Sequence, residues 1–327
     1  MVRSDLVLKL IEAGVTGNQQ LLVRTVEAMA ADERNKQHHV LAKKLEKSLK
    51  NNQTKNTKQF LNTSFNNNDF VYEVLPSKCL GDLILSNIVT NAINEIIEEQ
   101  HRTDLLRSFN LEPRNRILLT GPPGNGKTTL AEAVANELVV PLYIVRYDAI
   151  IGSYLGETAS RLEKLFRSIK SHKCVLFFDE FDTIGKERGD SHDTGEIKRV
   201  VSSLLMQIDS LPSHVVIITA TNHPELLDRA VWRRFQLHLC LDTPNKKQLT
   251  QWINDLRQSY DSSLGISNNI LVQKLQGLSF AELEQFALDV QRRYVLSFDT
   301  NIKAIVKGRL DQWTERYITE EEQTKEE

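Results

Sequence analysis

Apolar residues in the middle of the chain come in short, unbroken blocks rather than in alternation with polar ones. Cys174-Val175-Leu176-Phe177-Phe178 and Val215-Val216-Ile217-Ile218-Thr219 are the clearest, and Ile117-Leu118-Leu119 is a shorter one. The blocks predict strands at 116–120, 142–148, 174–178, 215–219 and 237–241. A strand without alternation is one buried on both faces, so helices must cover both sides of the sheet. Helix-like stretches do lie between the blocks, and a helix near Ser86 to Gln100 precedes the first. That order predicts an α/β fold with a parallel five-stranded sheet and right-handed crossovers.

Past Asp242-Thr243-Pro244 the pattern becomes wholly helical, with segments near 246–259, 268–276, 279–297 and 302–316. The third opens on Ser279-Phe280-Ala281-Glu282, a capping box. Residues 1–50 also read as helical. Leu6, Leu8, Leu10 and Ile11 open the segment, Gly14 and Gly17 break it, and Leu21, Leu22, Val26 and Met29 resume an apolar stripe. Residues 51–74 are crowded with Asn, Gln, Thr and Lys, too polar to offset their ordering entropy, and read as a linker. The resulting organisation is a helical region at 1–50, a linker at 51–74, an α/β unit at 75–243, a helical unit at 244–317 and a disordered acidic tail at 318–327.

Chemistry enters directly after the first block. Gly121-Pro122-Pro123-Gly124-Asn125-Gly126-Lys127-Thr128 fits G-x-x-x-x-G-K-[ST], and it lies between a strand-like and a helix-like stretch, as that pattern requires. Glycines let the backbone wrap around a polyphosphate, successive N–H groups form an anion nest, and the following helix adds its positive end. In such a loop Lys127 reaches the β- and γ-phosphates and Thr128 places its hydroxyl on Mg²⁺. Gly121 through Thr129 are therefore the candidate ATP-binding residues.

The block at 174–178 ends in Asp179-Glu180. An aspartate there can hold Mg²⁺, which favours few carboxylates plus phosphates. Glu180 is within reach of the γ-phosphate and can activate water. Two acids after a strand are otherwise an ordinary solvated loop start; the phosphate loop is what makes them hydrolytic machinery. Asn222, past the block at 215–219, either contacts the same water or caps the turn that begins His223-Pro224.

Together with Leu227-Asp228-Arg229-Ala230-Val231-Trp232-Arg233-Arg234-Phe235, these motifs resemble the AAA ATPases, in particular the clade that remodels or unfolds proteins. The resemblance covers about residues 78 to 315. It implies a P-loop NTPase sheet with a C-terminal helical lid. Arg233 and Arg234 match the family's arginine fingers, which reach a neighbouring subunit's site and are worth roughly 10³–10⁵ in rate in comparable sites. A homo-oligomeric ring, hexameric in the family, follows. Ser153-Tyr154-Leu155-Gly156-Glu157 matches the first pore loop, where Tyr154, with Leu155 beside it, would grip an extended polypeptide. The other reading of Tyr154 is a half-buried tyrosine with a satisfied hydroxyl. Residues 189–195 fall where a second pore loop would be, or form a solvated loop. Relatives have glycine where Phe280 stands, close to adenine, so Phe280 either stacks on the base or packs within the lid. The layout also resembles small bacterial AAA proteins that act beside a separate subtilisin-like serine protease.

Composition narrows the field. Among the 327 residues, 40% are hydrophobic, enough for real cores, and the net charge of −2 supplies no general drive toward nucleic acid or membrane. The lysine-rich stretch from Arg34 to Lys58 lacks interleaved aromatics, which favours a solvated helix face over a nucleic-acid patch. No apolar run approaches a membrane span. Asp5, Lys9 and Glu12 argue against a secretory signal. Three scattered cysteines, Cys79, Cys174 and Cys240, fit no zinc spacing and suggest buried thiols in a reducing compartment, so the cytoplasm is expected. None of the eight histidines forms H-E-x-x-H. Three activities remain: a ring ATPase that remodels protein, a nucleic-acid motor or loader, and a nucleotide-controlled docking switch.

Overall fold

The computed structural model describes residues 70–150, 155–182, 194–258, 265–297 and 302–323. The chain divides into two units, Met1–Asn66 and Asn67–Glu327, and every described residue belongs to the second. The expected N-terminal helices, most of the linker, Tyr154 and residues 189–193 lie outside the described residues.

The second unit opens with strand β1 (Val71–Val74), helix α1 (Asn87–His101) and α2 (Thr103–Ser108), then β2 (Arg116–Thr120) and α3 (Lys127–Glu137). β3 (Leu142–Val145), α4 (Tyr147–Ile150), α5 (Leu155–Ile169), β4 (Cys174–Phe178), α6 (Thr194–Asp209), β5 (Val215–Thr221), α7 (Arg229–Trp232) and β6 (Leu237–Cys240) follow. The sheet order is β1-β3-β4-β5-β2-β6, parallel throughout except for β1, which runs antiparallel to β3 with Val71 opposite Val145. All residues of β4 and β5 are buried, the two-sided burial their unbroken apolar blocks require.

Several expectations are corrected here. The sheet has six strands, not five, because Val71–Val74, assigned by composition to the end of the linker, pairs with β3. Four residues whose partner lies some distance along the chain leave no local signal, and Tyr72 and Glu73 face solvent as an edge strand allows. β3 stops at Val145 instead of 148, where the chain turns into α4 and Ile150 N–H bonds the Arg146 carbonyl. β5 continues to Thr221, paired with Thr120. Cys174 is buried as expected, but Cys79 and Cys240 are exposed, Cys240 because it lies on the edge strand β6.

α1 begins where expected. Ser86 Oγ accepts from Val89 N–H, and Val89, Ile93 and Ile96 recur at helical spacing to bury one face against the sheet. The C-terminal lid comprises α8 (Lys246–Gln258), α9 (Asn268–Leu275), α10 (Phe280–Ser297) and α11 (Ile302–Gln323). It has a core of its own, including Leu249, Ile253, Phe286 and Trp313, the last two rings meeting edge to face at 6.0 Å. The backbone of α11 stays helical to Gln323, so much of the tail expected to be disordered from 318 is helix.

Candidate active site

The parallel strands β2, β4 and β5 deliver their C-terminal ends to one place, the usual ligand-binding edge of such a sheet. From β2 the chain enters the glycine loop. Gly121 has φ 127°, and a Cβ there would fall 2.3 Å from the Leu241 carbonyl oxygen, so only glycine fits between β2 and the residue after β6. Gly124, at φ 76°, lies against the lid, where a Cβ would meet Ser279 Oγ at 2.9 Å.

The lid is hydrogen-bonded directly to this loop. Ala281 N–H donates to the Gly124 carbonyl (2.9 Å) and Phe280 N–H to Asn125 Oδ1 (3.3 Å). The expected capping box is present: the Glu282 carboxylate accepts from Ser279 N–H and Oγ, both at 2.6 Å.

Lys127 opens α3 and is buried, with Nζ donating to the Gly121 (2.7 Å) and Pro122 (2.9 Å) carbonyls. Burial lowers its pKa, opposed by the negative charge of Asp179. Thr128 Oγ1 donates to Asp179 Oδ2 at 3.0 Å, so two hard oxygen groups of the kind a divalent cation takes are already side by side. Glu180 N–H bonds Asp179 Oδ1 (2.9 Å), and Glu180 itself has φ 47°, a left-handed backbone unusual for a residue with a long side chain. At the end of β5, Thr221 Oγ1 donates to Asp182 (2.8 Å) and accepts from His223 N–H (3.0 Å). This fixes the turn that presents Asn222, whose Oδ1 is enclosed and has no hydrogen-bond partner among the described residues.

These groups line one cavity of about 550 Å³, with Pro123 to Thr129, Asp179, Glu180 and Asn222 around it. Lys78, Asp82, Leu83, Ile84, Leu85, Trp252, Phe280, Ala281 and Glu284 complete its wall. Sequence reasoning missed all of these but Phe280, for they carry no motif; the capping box was the only pointer to that side of the site. A second cavity of about 200 Å³ adjoins it, sharing Ile84, Leu85, Asn125 and Phe280.

The two arginines lie elsewhere; neither lines either cavity. Arg234 Nε is bound to Asp209 (2.9 Å), which also pairs with Arg116 (2.7 Å). Arg233, at the end of α7, is exposed and has no ion pair among the described residues. Leu155 opens α5.

A parallel sheet with an anion-cradling loop after β2 and an acid pair after β4 defines a P-loop nucleotide hydrolase. The particular family follows from comparison: residues 117–243 match the ATPase family associated with various cellular activities (AAA). An AAA family ATPase of Sinorhizobium fredii, y4kL, is 34% identical over 291 residues, 87% of this chain and 87% of that protein. A putative 26S proteasome regulatory subunit homolog of Methanothermobacter marburgensis is 34% identical over 54% of this chain and 48% of its own length. The peroxisomal ATPase PEX6 of Kluyveromyces lactis is 31% identical over 75% of this chain and 25% of its own length. The chain belongs to the AAA family and is an ATP hydrolase.

Proposed function

We propose that this ATPase works as a homo-oligomeric ring, a hexamer, that uses ATP hydrolysis to remodel, unfold or thread a protein substrate. Arg233 carries the reading: an exposed guanidinium with no ion pair among the described residues, outside its own subunit's cavity, is available to a neighbour's. Arg234, held by Asp209 of its own subunit, serves as the second finger. The relative named as a putative 26S proteasome regulatory subunit homolog favours a protein substrate over nucleic acid.

In this reading Lys127 leaves the Gly121 and Pro122 carbonyls for the β- and γ-phosphates. Glu180 accepts the proton of the attacking water, and the unpartnered Oδ1 of Asn222 accepts a hydrogen bond from it. Thr128 and Asp179 would hold Mg²⁺, which neutralises charge on the phosphates. The apolar end of the cavity, formed by Leu83, Ile84, Leu85, Trp252 and Phe280, suits a nucleobase. Tyr154 grips the polypeptide, and residues 1–50 recruit it. Any proteolysis would come from a separate serine protease. The free thiols support a cytoplasmic setting, and no helix among the described residues is long and apolar enough to cross a membrane.

Mixing two inactive variants tests the ring. Arg233→Ala and Lys127→Ala should each lose at least about a hundredfold in turnover, since one lacks the finger and the other the phosphate clamp. Mixed, they should regain part of the activity, because the Lys127→Ala subunit lends Arg233 to an intact cradle. No rescue in demonstrably mixed rings would defeat the proposal.

A further inference from the structure

Asp209 is the last residue of α6, and it holds two arginines at once. Its Oδ1 accepts from Arg116 Nη1 at 2.7 Å and its Oδ2 from Arg234 Nε at 2.9 Å. Helix stability gives no reason for an acid there, because a carboxylate at a helix C-terminus opposes the dipole. The bond to Arg116 ties α6 to the start of β2. The bond to Arg234 acts on a side chain that is fixed a second time, for its Nη1 donates to the Ala230 carbonyl at 2.9 Å. A guanidinium carries five N–H donors in one plane, so bonds at Nε and Nη1 set that plane and leave three donors over. A phosphate takes two of them side by side.

Those donors have no phosphate to meet in their own subunit. β6 runs parallel to β2 with Leu237 opposite Ile117, so Arg234 precedes the sheet at one end, and the phosphate loop leaves β2 at the other, past Thr120. From Arg116 to Thr120 the strand alone spans roughly 13 Å. Arg234 accordingly lines neither cavity. One turn before Asp209, Met206 is 66% exposed, an apolar side chain of a type enriched where proteins meet.

We propose that Asp209 is a positioning residue for Arg234: from within the same subunit it holds the guanidinium in the plane in which the remaining donors meet the phosphates bound by a neighbouring copy. The inference deepens the ring reading above and rests on it.

Asp209→Ala, Arg234→Ala and the double variant test it in the full chain, with ATP turnover measured at concentrations where the protein is assembled. Asp209→Ala should lower kcat about tenfold and leave KM for ATP nearly unchanged, since the variant's own cradle is intact. In the Arg234→Ala background the same change should cost less than about twofold, because the group it orients is gone. A defect in the subunit's own fold would persist whatever its neighbours, whereas a misplaced finger is made good by the next copy. Mixed with excess Lys127→Ala, which lends unaltered fingers, Asp209→Ala should therefore regain turnover per intact cradle. A kcat near wild type, an undiminished loss in the double variant, or no recovery on mixing would overturn the inference. If Arg233→Ala and Lys127→Ala also failed to rescue each other in demonstrably mixed rings, the ring reading would fall and this inference with it. Rescue of that pair beside an unimpaired Asp209→Ala would remove the inference alone.

Discussion

At one end of the large cavity, Pro123 to Thr129 arrive together from the single turn between β2 and α3 and the start of that helix, while at the other, Leu83 to Leu85, Trp252 and Phe280 arrive from three segments far apart in the chain. In the proposed reading the first end works through backbone: its N–H groups and positive-φ glycines form the binding surface, so contiguous residues of fixed identity are needed. The second end works through apolar area, which many side chains can supply. The difference teaches that chemistry borne by the backbone is written as a local motif, whereas chemistry borne by packed surfaces is not.

Substitutions at the two ends should separate them sharply. The largest effect belongs to Lys127→Ala, which removes the buried ammonium; ATP affinity by calorimetry should fall about a hundredfold or more. Near-normal affinity would mean that the loop amides suffice alone. Phe280→Ala, at the other end, keeps the backbone N–H bond to Asn125 and removes only the ring. Loss of base–ring contact should raise KM for ATP about tenfold and leave kcat nearly unchanged, a signature of uniform binding. An unaltered KM would place Phe280 within the lid core and away from the base. The smallest effect is expected from Ser279→Ala, between the two ends. It removes the hydroxyl that donates to Glu282 and accepts from its N–H, and should cost about 1 kcal/mol of stability, read from a denaturant midpoint. A loss of ATP affinity larger than that of Phe280→Ala would show that the lid's grip on Gly124 outweighs the base contact.

Legibility follows the same division. β4 and β5 could be read because both faces are buried, leaving apolar blocks that helix periodicity cannot explain. α10 could be read from its capping box, four residues that satisfy one another locally. β1 could not, since Val71-Tyr72-Glu73-Val74 becomes a strand only by meeting Val145 to Leu142 at the sheet edge. Nor could the turn at Arg146, where β3 gives way to α4 even though Arg146 N–H still reaches the Phe70 carbonyl. The contrast between Arg233 and Arg234 was equally hidden. Two identical side chains in sequence differ because Asp209, at the end of α6, lies within reach of one of them.

The sequence by itself determined the phosphate loop, the acid pair, the order of strands and helices and the existence of a lid, because each is encoded in neighbouring residues through backbone geometry or periodic burial. Only the tertiary structure decided which side chains close the far end of the cavity and which arginine is held. Those facts depend on which strand lies beside which, and pairing between distant segments leaves no trace in either segment alone.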